Sequence, residues 1–282
     1  MKSGSKSYPS LLLSGRPDEL ELASALLFEV GCLGTNELDS STLRAFFPPG
    51  VDLSSLHRKL VDDFPTLRSK VAEPLRDEDW LIKWKKGFHG FSLGKKFFVL
   101  PSWEAPPSTG RTILHIDPER AFGTGTHDTT RLSIDLIEEF ARAETPVIDA
   151  GAGTGILSMA AAALGCRPVV AIETDPDAVA CARANIIRNH LEQVVCIHKS
   201  SIANANPAPA SLVLANLSAK ILHENWTHIS NWVHAGGYIV TTGLLLEQVD
   251  AFLKELPPWQ HLVQHRTAGG WAALLIQRTG NA

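Results

Sequence analysis

The stretch Val147-Ile148-Asp149-Ala150-Gly151-Ala152-Gly153-Thr154-Gly155-Ile156-Leu157 constrains this chain more than any other. A short β-branched run ends near an acid and opens into three glycines at alternate positions, which reads as strand, tight loop and helix. Glycine tolerates positive φ and, lacking Cβ, lets a ligand lie against the backbone. The first amides of the following helix then face that ligand unpaired. A nucleotide-like partner suits such a turn. The spacing is G-x-G-x-G, not the G-x-G-x-x-G that wraps a pyrophosphate around a helix start in dinucleotide enzymes. Further on, residues 168–172 read as a second strand ending at Glu173, where a carboxylate accepts hydrogen bonds from ribose hydroxyls. No arginine follows at once to receive a 2′-phosphate. Glycine loop and Glu173 together imply an adenosine pocket, and Asp149 either orders the loop or caps the turn after it.

From 147 onward strand and helix alternate. Helices are predicted over 154–164, 176–189, 219–233 and near 246–256. Strands are predicted over 169–172, 194–198, 212–215 and 238–242, with a final pair near 260–265 and 271–277. This alternation predicts a doubly wound parallel sheet with ligands gathered at the carboxyl ends of its strands. Asp149, Glu173 and Asn216 all fall at such ends. The antiparallel final pair is unusual for a dinucleotide domain.

The first part of the chain has a different order: strand 8–14, helix 17–30, strands 33–38 and 42–47, helix 51–64 and strand 67–71. That is βαββαβ, the ferredoxin-like arrangement. It carries no catalytic constellation and reads as a module for holding something. Residues 77–86 read as a short linking helix, with Trp80 and Trp84 one turn apart and Lys83, Lys85 and Lys86 forming either a solvated, dipole-complementing end or a contact for rRNA or an acidic protein. Strands follow over 97–100 and 112–116. The polar loop Phe122-Gly123-Thr124-Gly125-Thr126-His127-Asp128-Thr129-Thr130 then leads into a helix over 131–142. A loop of hydroxyls and small residues can fold over a ligand, and Thr129 or Thr130 either caps the helix or meets that ligand. Taken alone, His127 reads as a surface histidine. The expected domains are 1–75 for the ferredoxin-like module, 76–95 for the linker and 96–282 for the nucleotide-type domain.

The 282 residues suit two domains of unequal size, and 44% apolar with 20% charged residues suits a globular protein. A formal net charge of −4 argues against a surface that grips nucleic acid over its whole extent. No stretch is apolar enough to span a bilayer, and residues 1–10 lack a secretory apolar core, so a cytoplasmic location without membrane association is expected. Cys32, Cys166, Cys181 and Cys196 are scattered without C-x-x-C pairing, which predicts buried free thiols and no metal site.

At this point the residues resemble a known family. The 122–130 loop, the 147–157 motif, Glu173-Thr174-Asp175-Pro176 and Ala215-Asn216-Leu217 are similar to the bacterial methyltransferases of large-subunit ribosomal protein L-eleven, the PrmA type. The likeness extends to Asp79-Trp80, Pro101-Ser102-Trp103, residues 243–248 and Trp271, and so covers nearly the whole chain. Four positions depart from the pattern: Asp128 for the usual proline, Ala152 where cysteine is common, Glu173 for aspartate and Leu217-Ser218 for Ile-Leu.

The resemblance implies a seven-stranded class I methyltransferase sheet and transfer of methyl groups from S-adenosyl-L-methionine to lysine and N-terminal amines of that ribosomal protein. The small N-terminal domain would recognise the substrate, and a monomer is expected. Carried over by position, Thr130, Gly151, Glu173 and Asn216 would contact the cofactor, with Gly153 and Gly155 completing the loop. Asn216 and the Leu217 carbonyl would aim the neutral amine, with His127 passing its proton to water. The alternatives are a class I methyltransferase acting on another protein lysine, or an NAD-dependent oxidoreductase.

Overall fold

A computed structural model describes residues 7–48, 50–76, 88–117 and 122–280. The expected linking helix over 77–86, with its tryptophans and lysines, lies outside the described residues. The chain divides into two compact units, Met1–Phe88 and His89–Ala282.

The first unit contains β1 (Ser7–Ser14), α1 (Pro17–Glu29), β2 (Gly34–Asp39), β3 (Thr42–Phe46), α2 (Leu53–Asp63) and β4 (Arg68–Arg76). Its strands form an antiparallel sheet in the order β2-β3-β1-β4. Pro17 opens α1, where a missing N–H costs nothing, and Asp18 and Glu19 complement the dipole of the first turn. The Asp52 carboxylate caps α2, accepting the N–H groups of Ser54 at 3.0 Å and Ser55 at 3.3 Å. Leu11, Leu13, Leu27, Phe47 and Leu60 are fully buried between helices and sheet. β4 outruns the predicted 67–71 because β1 pairs with it from Ser14↔Arg68 to Ser7↔Arg76. Pro74 interrupts the sequence signal but is tolerated because β4 is an edge strand.

The second unit begins with a small sheet in the order β5-β6-β7, made of β5 (Phe91–Leu93), β6 (Phe97–Leu100) and β7 (Thr112–His115). β5 is too short to leave a sequence signal. Then come α3 (Asp128–Phe140), β8 (Val147–Ala150), α4 (Ile156–Ala163), β9 (Val169–Glu173), α5 (Pro176–Arg188) and β10 (Val195–Lys199). The unit closes with β11 (Ala210–Asn216), α6 (Ala219–Asn231), β12 (Val233–Leu245), α7 (Val249–Lys254), β13 (Gln260–Ala268) and β14 (Trp271–Arg278).

These last strands form a sheet in the order β10-β9-β8-β11-β12-β14-β13. β10 through β12 run parallel, and β14 inserts antiparallel between β12 and β13. All four residues of β8 are buried, as a strand covered on both faces requires. The chain moves outward from β8 through β9 to β10 and then returns to β11 on the other side of β8. The switch point between β8 and β11 is where an open α/β sheet parts its loops to admit a ligand.

Two details differ from expectation. β12 starts at Val233, before Gly236-Gly237, and its register with β11 slips between Ala210↔Val233 and Leu212↔Tyr238. A Cβ on Gly237 would lie 2.8 Å from the Ser211 carbonyl, so the glycine lets the slipped strand stay close. The four cysteines are free, but only Cys32, Cys166 and Cys181 are buried. Cys196 is exposed because it alternates outward on the edge strand β10. Among the described residues, no helix is long and apolar enough to cross a membrane.

Candidate functional site

The glycine loop leaves β8 between two neighbours. The Gly151 and Ala152 amides donate to the Ile172 carbonyl at 2.8 and 3.1 Å, and the Gly153 N–H donates to Glu173 Oε2 at 2.9 Å. Gly151, Gly153 and Gly155 have φ of +74°, +54° and +81°, conformations that favour glycine. The space that their Cβ atoms would take is not left open for a ligand. Leu217 Cδ2 would lie 2.4 Å from a Cβ on Gly151, the Phe122 carbonyl oxygen 2.3 Å from one on Gly153, and Ala182 3.4 Å from one on Gly155. The glycines therefore let the chain's own loops close on each other. The amides of Ile156 and Leu157, at the start of α4, have no acceptor among the described residues, as expected for a helix start.

Asp149 is fully buried beneath this loop. Its Oδ2 accepts the Ser158 N–H at 3.0 Å and the Ser158 hydroxyl at 2.6 Å, while Oδ1 has no partner among the described residues. Burial pushes its carboxyl up to about 6, with the Ser158 bonds opposing and Glu173 adding to the shift. Asp149 thus ties strand to helix behind the loop. Glu173, at the end of β9, also receives the Thr174 and Asp175 amides on Oε1 at 2.7 and 3.0 Å.

The 122–127 loop lies across the glycine loop. The Phe122 carbonyl accepts the Thr154 N–H at 2.9 Å, and the Gly123 carbonyl accepts the Thr154 hydroxyl. The Thr154 carbonyl in turn accepts from Asn185 Nδ2 at 3.1 Å, and Asn185 Oδ1 accepts the Asp117 N–H at 3.0 Å. Thr154 and Asn185 are both fully buried, and sequence reasoning missed both. The only available signal was a threonine standing between two motif glycines.

Helix α3 begins three residues earlier than predicted because His127, not a threonine, caps it. Its Nδ1 faces the Thr129 N–H at 3.3 Å and the Thr129 hydroxyl at 2.8 Å. Thr129 and Thr130 therefore lie inside the first turn, both buried, and the Thr130 hydroxyl has no partner among the described residues. Asp128, where the resembled family has proline, pairs with Arg131 at 3.6 Å and complements the helix dipole. His127 is half-buried rather than fully exposed. Its ring stands edge-on to Phe122 at 5.8 Å and to Trp271 at 5.1 Å. Burial lowers its pKa, with the Asp128 charge opposing.

On the far side of the switch point, β11 ends at Asn216. The Leu217 N–H donates to the Thr242 carbonyl at 3.1 Å, and the Leu217 side chain packs over Gly151. The Asn216 side chain has no hydrogen bond among the described residues. Thr242 is fully buried and meets Ser133 of α3 at 2.9 Å. The contacts bring Gly151 together with Leu217 and Gly153 together with Glu173, and the Phe122 carbonyl over Gly153 brings His127 near through its ring contact with Phe122. An adenosine-type cofactor fits what these residues leave over: among the described residues, a buried Thr130 hydroxyl and the Ile156 and Leu157 amides have no partner, and the Glu173 carboxylate keeps lone-pair capacity.

A family model described as ribosomal protein L11 methyltransferase (PrmA) matches residues 19–279. The chain is 34% identical over 257 residues to the ribosomal protein L11 methyltransferase of Geobacter metallireducens, covering 86% of this chain and 83% of that one. It is 33% identical over 259 residues to that of Geobacter sulfurreducens, covering 88% and 85%. Its fold is similar to the crystal structure of a ribosomal protein L11 methylase from Lactobacillus delbrueckii subsp. bulgaricus. The TM-score is 0.64 at 26% identity, over 68% of this chain and 100% of that one.

Proposed function

The chain belongs to the ribosomal protein L11 methyltransferase (PrmA) family, and from that premise we propose how its rim of strand ends performs the reaction. It is an S-adenosylmethionine-dependent protein methyltransferase whose substrate is ribosomal protein L11. When bound, S-adenosylmethionine supplies a methyl group already activated on a sulfonium. The protein's work is to bind, align and desolvate, and no covalent nucleophile is needed.

The acceptors in this reading are lysine and N-terminal amines of L11. A lysine of ordinary pKa about 10.4 must lose its proton near pH 7 at a cost of roughly 4 to 5 kcal/mol, whereas an α-amine costs only about 1. Apolar surroundings reduce that cost by disfavouring the ammonium. Leu217, Phe122 and Trp271 supply such surroundings at the rim. The Asn216 side-chain carbonyl and the Leu217 backbone carbonyl accept hydrogen bonds from the neutral amine and orient its lone pair. Glu173 would hold the ribose hydroxyls of the bound cofactor, Thr130 and the 151–155 loop would line it, and the start of α4 would favour its methionine carboxylate.

The observation carrying this reading is that Asn216, whose amide makes no hydrogen bond among the described residues, ends β11 beside Leu217, whose side chain packs on the glycine loop at Gly151. The further features of the reading are a doubly wound, seven-stranded class I sheet and a ferredoxin-like N-terminal unit that docks L11. The enzyme is read as a cytoplasmic monomer that binds nucleic acid weakly if at all.

The test is intact-mass and peptide mass spectrometry after incubation with S-adenosylmethionine and unmodified L11. Methyl increments on lysines or the N-terminus are expected, and Asn216→Ala should slow transfer about a hundredfold in a folded protein. An Asn216→Ala enzyme that is folded and fully active would refute the acceptor assignment.

A further inference from the structure

β12 carries two buried threonines where it runs beside the end of β11. Ile239 and Val240 fill the two preceding positions, and valine would fill the next two with nearly the same shape. A hydroxyl buried there is costly unless it is bonded. Thr241 and Thr242 are both fully buried, and each bonds to a different layer of the fold. The Thr241 hydroxyl donates to the Ala215 carbonyl of β11 at 3.3 Å, one residue before Asn216. The Thr242 hydroxyl meets Ser133 Oγ of α3 at 2.9 Å. Ser133 gives its own proton to the Thr129 carbonyl at 2.8 Å, so Thr242 is the donor of the pair. In the parallel register Thr242 stands opposite Asn216, and its carbonyl accepts the Leu217 N–H at 3.1 Å. Gly243, next in β12, makes room for the Leu217 carbonyl by lacking a Cβ.

We infer that Ser133 and Thr242 are positioning residues for methyl transfer, acting through the hydroxyl bond that fixes the end of β12 and, with it, the Leu217 turn. This inference rests on the reading of Asn216 and Leu217 as the groups that aim the amine. A carbonyl that orients a lone pair toward a methyl group must be held to a fraction of an ångström, because reactivity falls steeply with misplacement. Leu217 lies just past the last residue of β11, and its N–H is held by Thr242. Its backbone therefore follows Thr242, and Thr242 follows α3 through Ser133. The same helix carries Thr130 three residues before Ser133. One rigid element thus sets both the wall read as lining the cofactor and the turn read as aiming the amine. The pair earns its buried hydroxyls by fixing the distance between donor and acceptor.

The experiment compares Thr242→Val, which keeps the shape and loses the hydroxyl, with Thr242→Ser, which keeps the hydroxyl. In Thr242→Val the Ser133 hydroxyl still donates to Thr129, so no buried donor is stranded. Ser133→Ala removes the other half of the bond from a site on α3, and tests the same link if Thr242→Val does not fold. The double variant Ser133→Ala/Thr242→Val closes a cycle. For each, the single-turnover rate of methyl transfer to L11, KM for L11, affinity for S-adenosylhomocysteine and Tm are measured. Thr242→Val and Ser133→Ala should each slow transfer about tenfold, with KM and S-adenosylhomocysteine affinity within about threefold of wild type. Thr242→Ser should restore transfer to within about threefold. The double variant should be no slower than the slower single, because both singles remove one shared bond.

A merely structural pair would lower Tm and leave the transfer rate of the folded enzyme unmoved, and that result overturns the inference. So does Thr242→Ser being as slow as Thr242→Val, or a double variant slowed by the product of the two singles. A loss of S-adenosylhomocysteine affinity as large as the loss of rate also overturns it, since the pair would then be acting on the cofactor loop. If Asn216→Ala is folded and fully active, the acceptor reading falls and this inference falls with it. If Asn216→Ala is slow while Thr242→Val and Ser133→Ala transfer at the wild-type rate, the pair alone is refuted.

Discussion

The carbonyl oxygen of Leu217 passes so close to Gly243 that a Cβ there would lie 2.0 Å from it. Gly243 also has a φ of +94°, so it meets two separate constraints. Because the Leu217 N–H is bonded to the Thr242 carbonyl, the ends of β11 and β12 are locked together at this point.

Gly243→Ala is therefore expected to cost about 2 kcal/mol or more, from left-handed backbone strain plus a backbone collision. The collision would push Leu217 away from its seat over Gly151, so transfer to L11 should fall further than stability does. Urea unfolding together with the methylation rate of the fraction still folded checks this. A variant as stable and active as wild type would show that the Leu217 turn moves freely.

The buried Asp149 carboxyl gives stability a specific pH dependence. Its pKa rises from an ordinary 3.8 to about 6 in the folded protein, chiefly by burial. The folded state then binds this proton more tightly than the unfolded state. The contribution is fully present below about 3.8 and is lost as pH rises through 6, a swing of about 3 kcal/mol. Asp149→Asn can still accept from Ser158 through its side-chain oxygen but does not titrate. The difference in unfolding free energy between the variant and wild type should therefore shift in the variant's favour between pH 4 and pH 7. A pH-independent difference would mean that Asp149 is ionised throughout.

Much of this architecture was legible in the sequence, for physical reasons that differ by element. The β8-loop-α4 unit announced itself because three positive φ angles in five residues require glycine whatever surrounds them. The carboxyl-end acids followed from the alternation of strand and helix. The function of the empty Cβ positions was not legible. The sequence shows that Gly153 lacks a side chain but not that the Phe122 carbonyl uses the space. Asn185 is another such case. A polar residue within a helix reads as a solvent-facing position until the fold buries it between Thr154 and Asp117. The start of α3 was placed late because histidine is not among the residues that usually cap helices, whereas the threonines after it are.

That cap makes its own prediction. Burial lowers the His127 pKa, so the folded state resists the proton that the unfolded chain accepts. Above about 6.5 the group makes no difference to stability, and below it stability is lost as pH falls toward the depressed folded value. His127→Asn supplies a strong capping side chain that does not titrate. Thermal unfolding from pH 7.5 to 5 should show a shallower acid loss for the variant than for wild type. Equal slopes would mean that His127 is freely protonated in place.

Glu173 allows two possible contributions to be separated. Its carboxylate closes on the Gly153 N–H with one oxygen and on the Thr174 and Asp175 amides with the other. Glu173→Gln keeps the length but replaces one accepting oxygen with a donating NH2, which faces either the Gly153 amide or the turn amides. Glu173→Asp keeps both accepting oxygens, can still serve the two turn amides, and is one methylene too short for Gly153. If the charge presented to the ribose dominates, S-adenosylhomocysteine should bind the Asp variant within a few-fold of wild type and the Gln variant about tenfold more weakly. Calorimetry on the two variants reads this directly. If both lose affinity equally, the Gly153 bond is the principal contribution, and Glu173 acts by shaping the loop rather than by touching the cofactor.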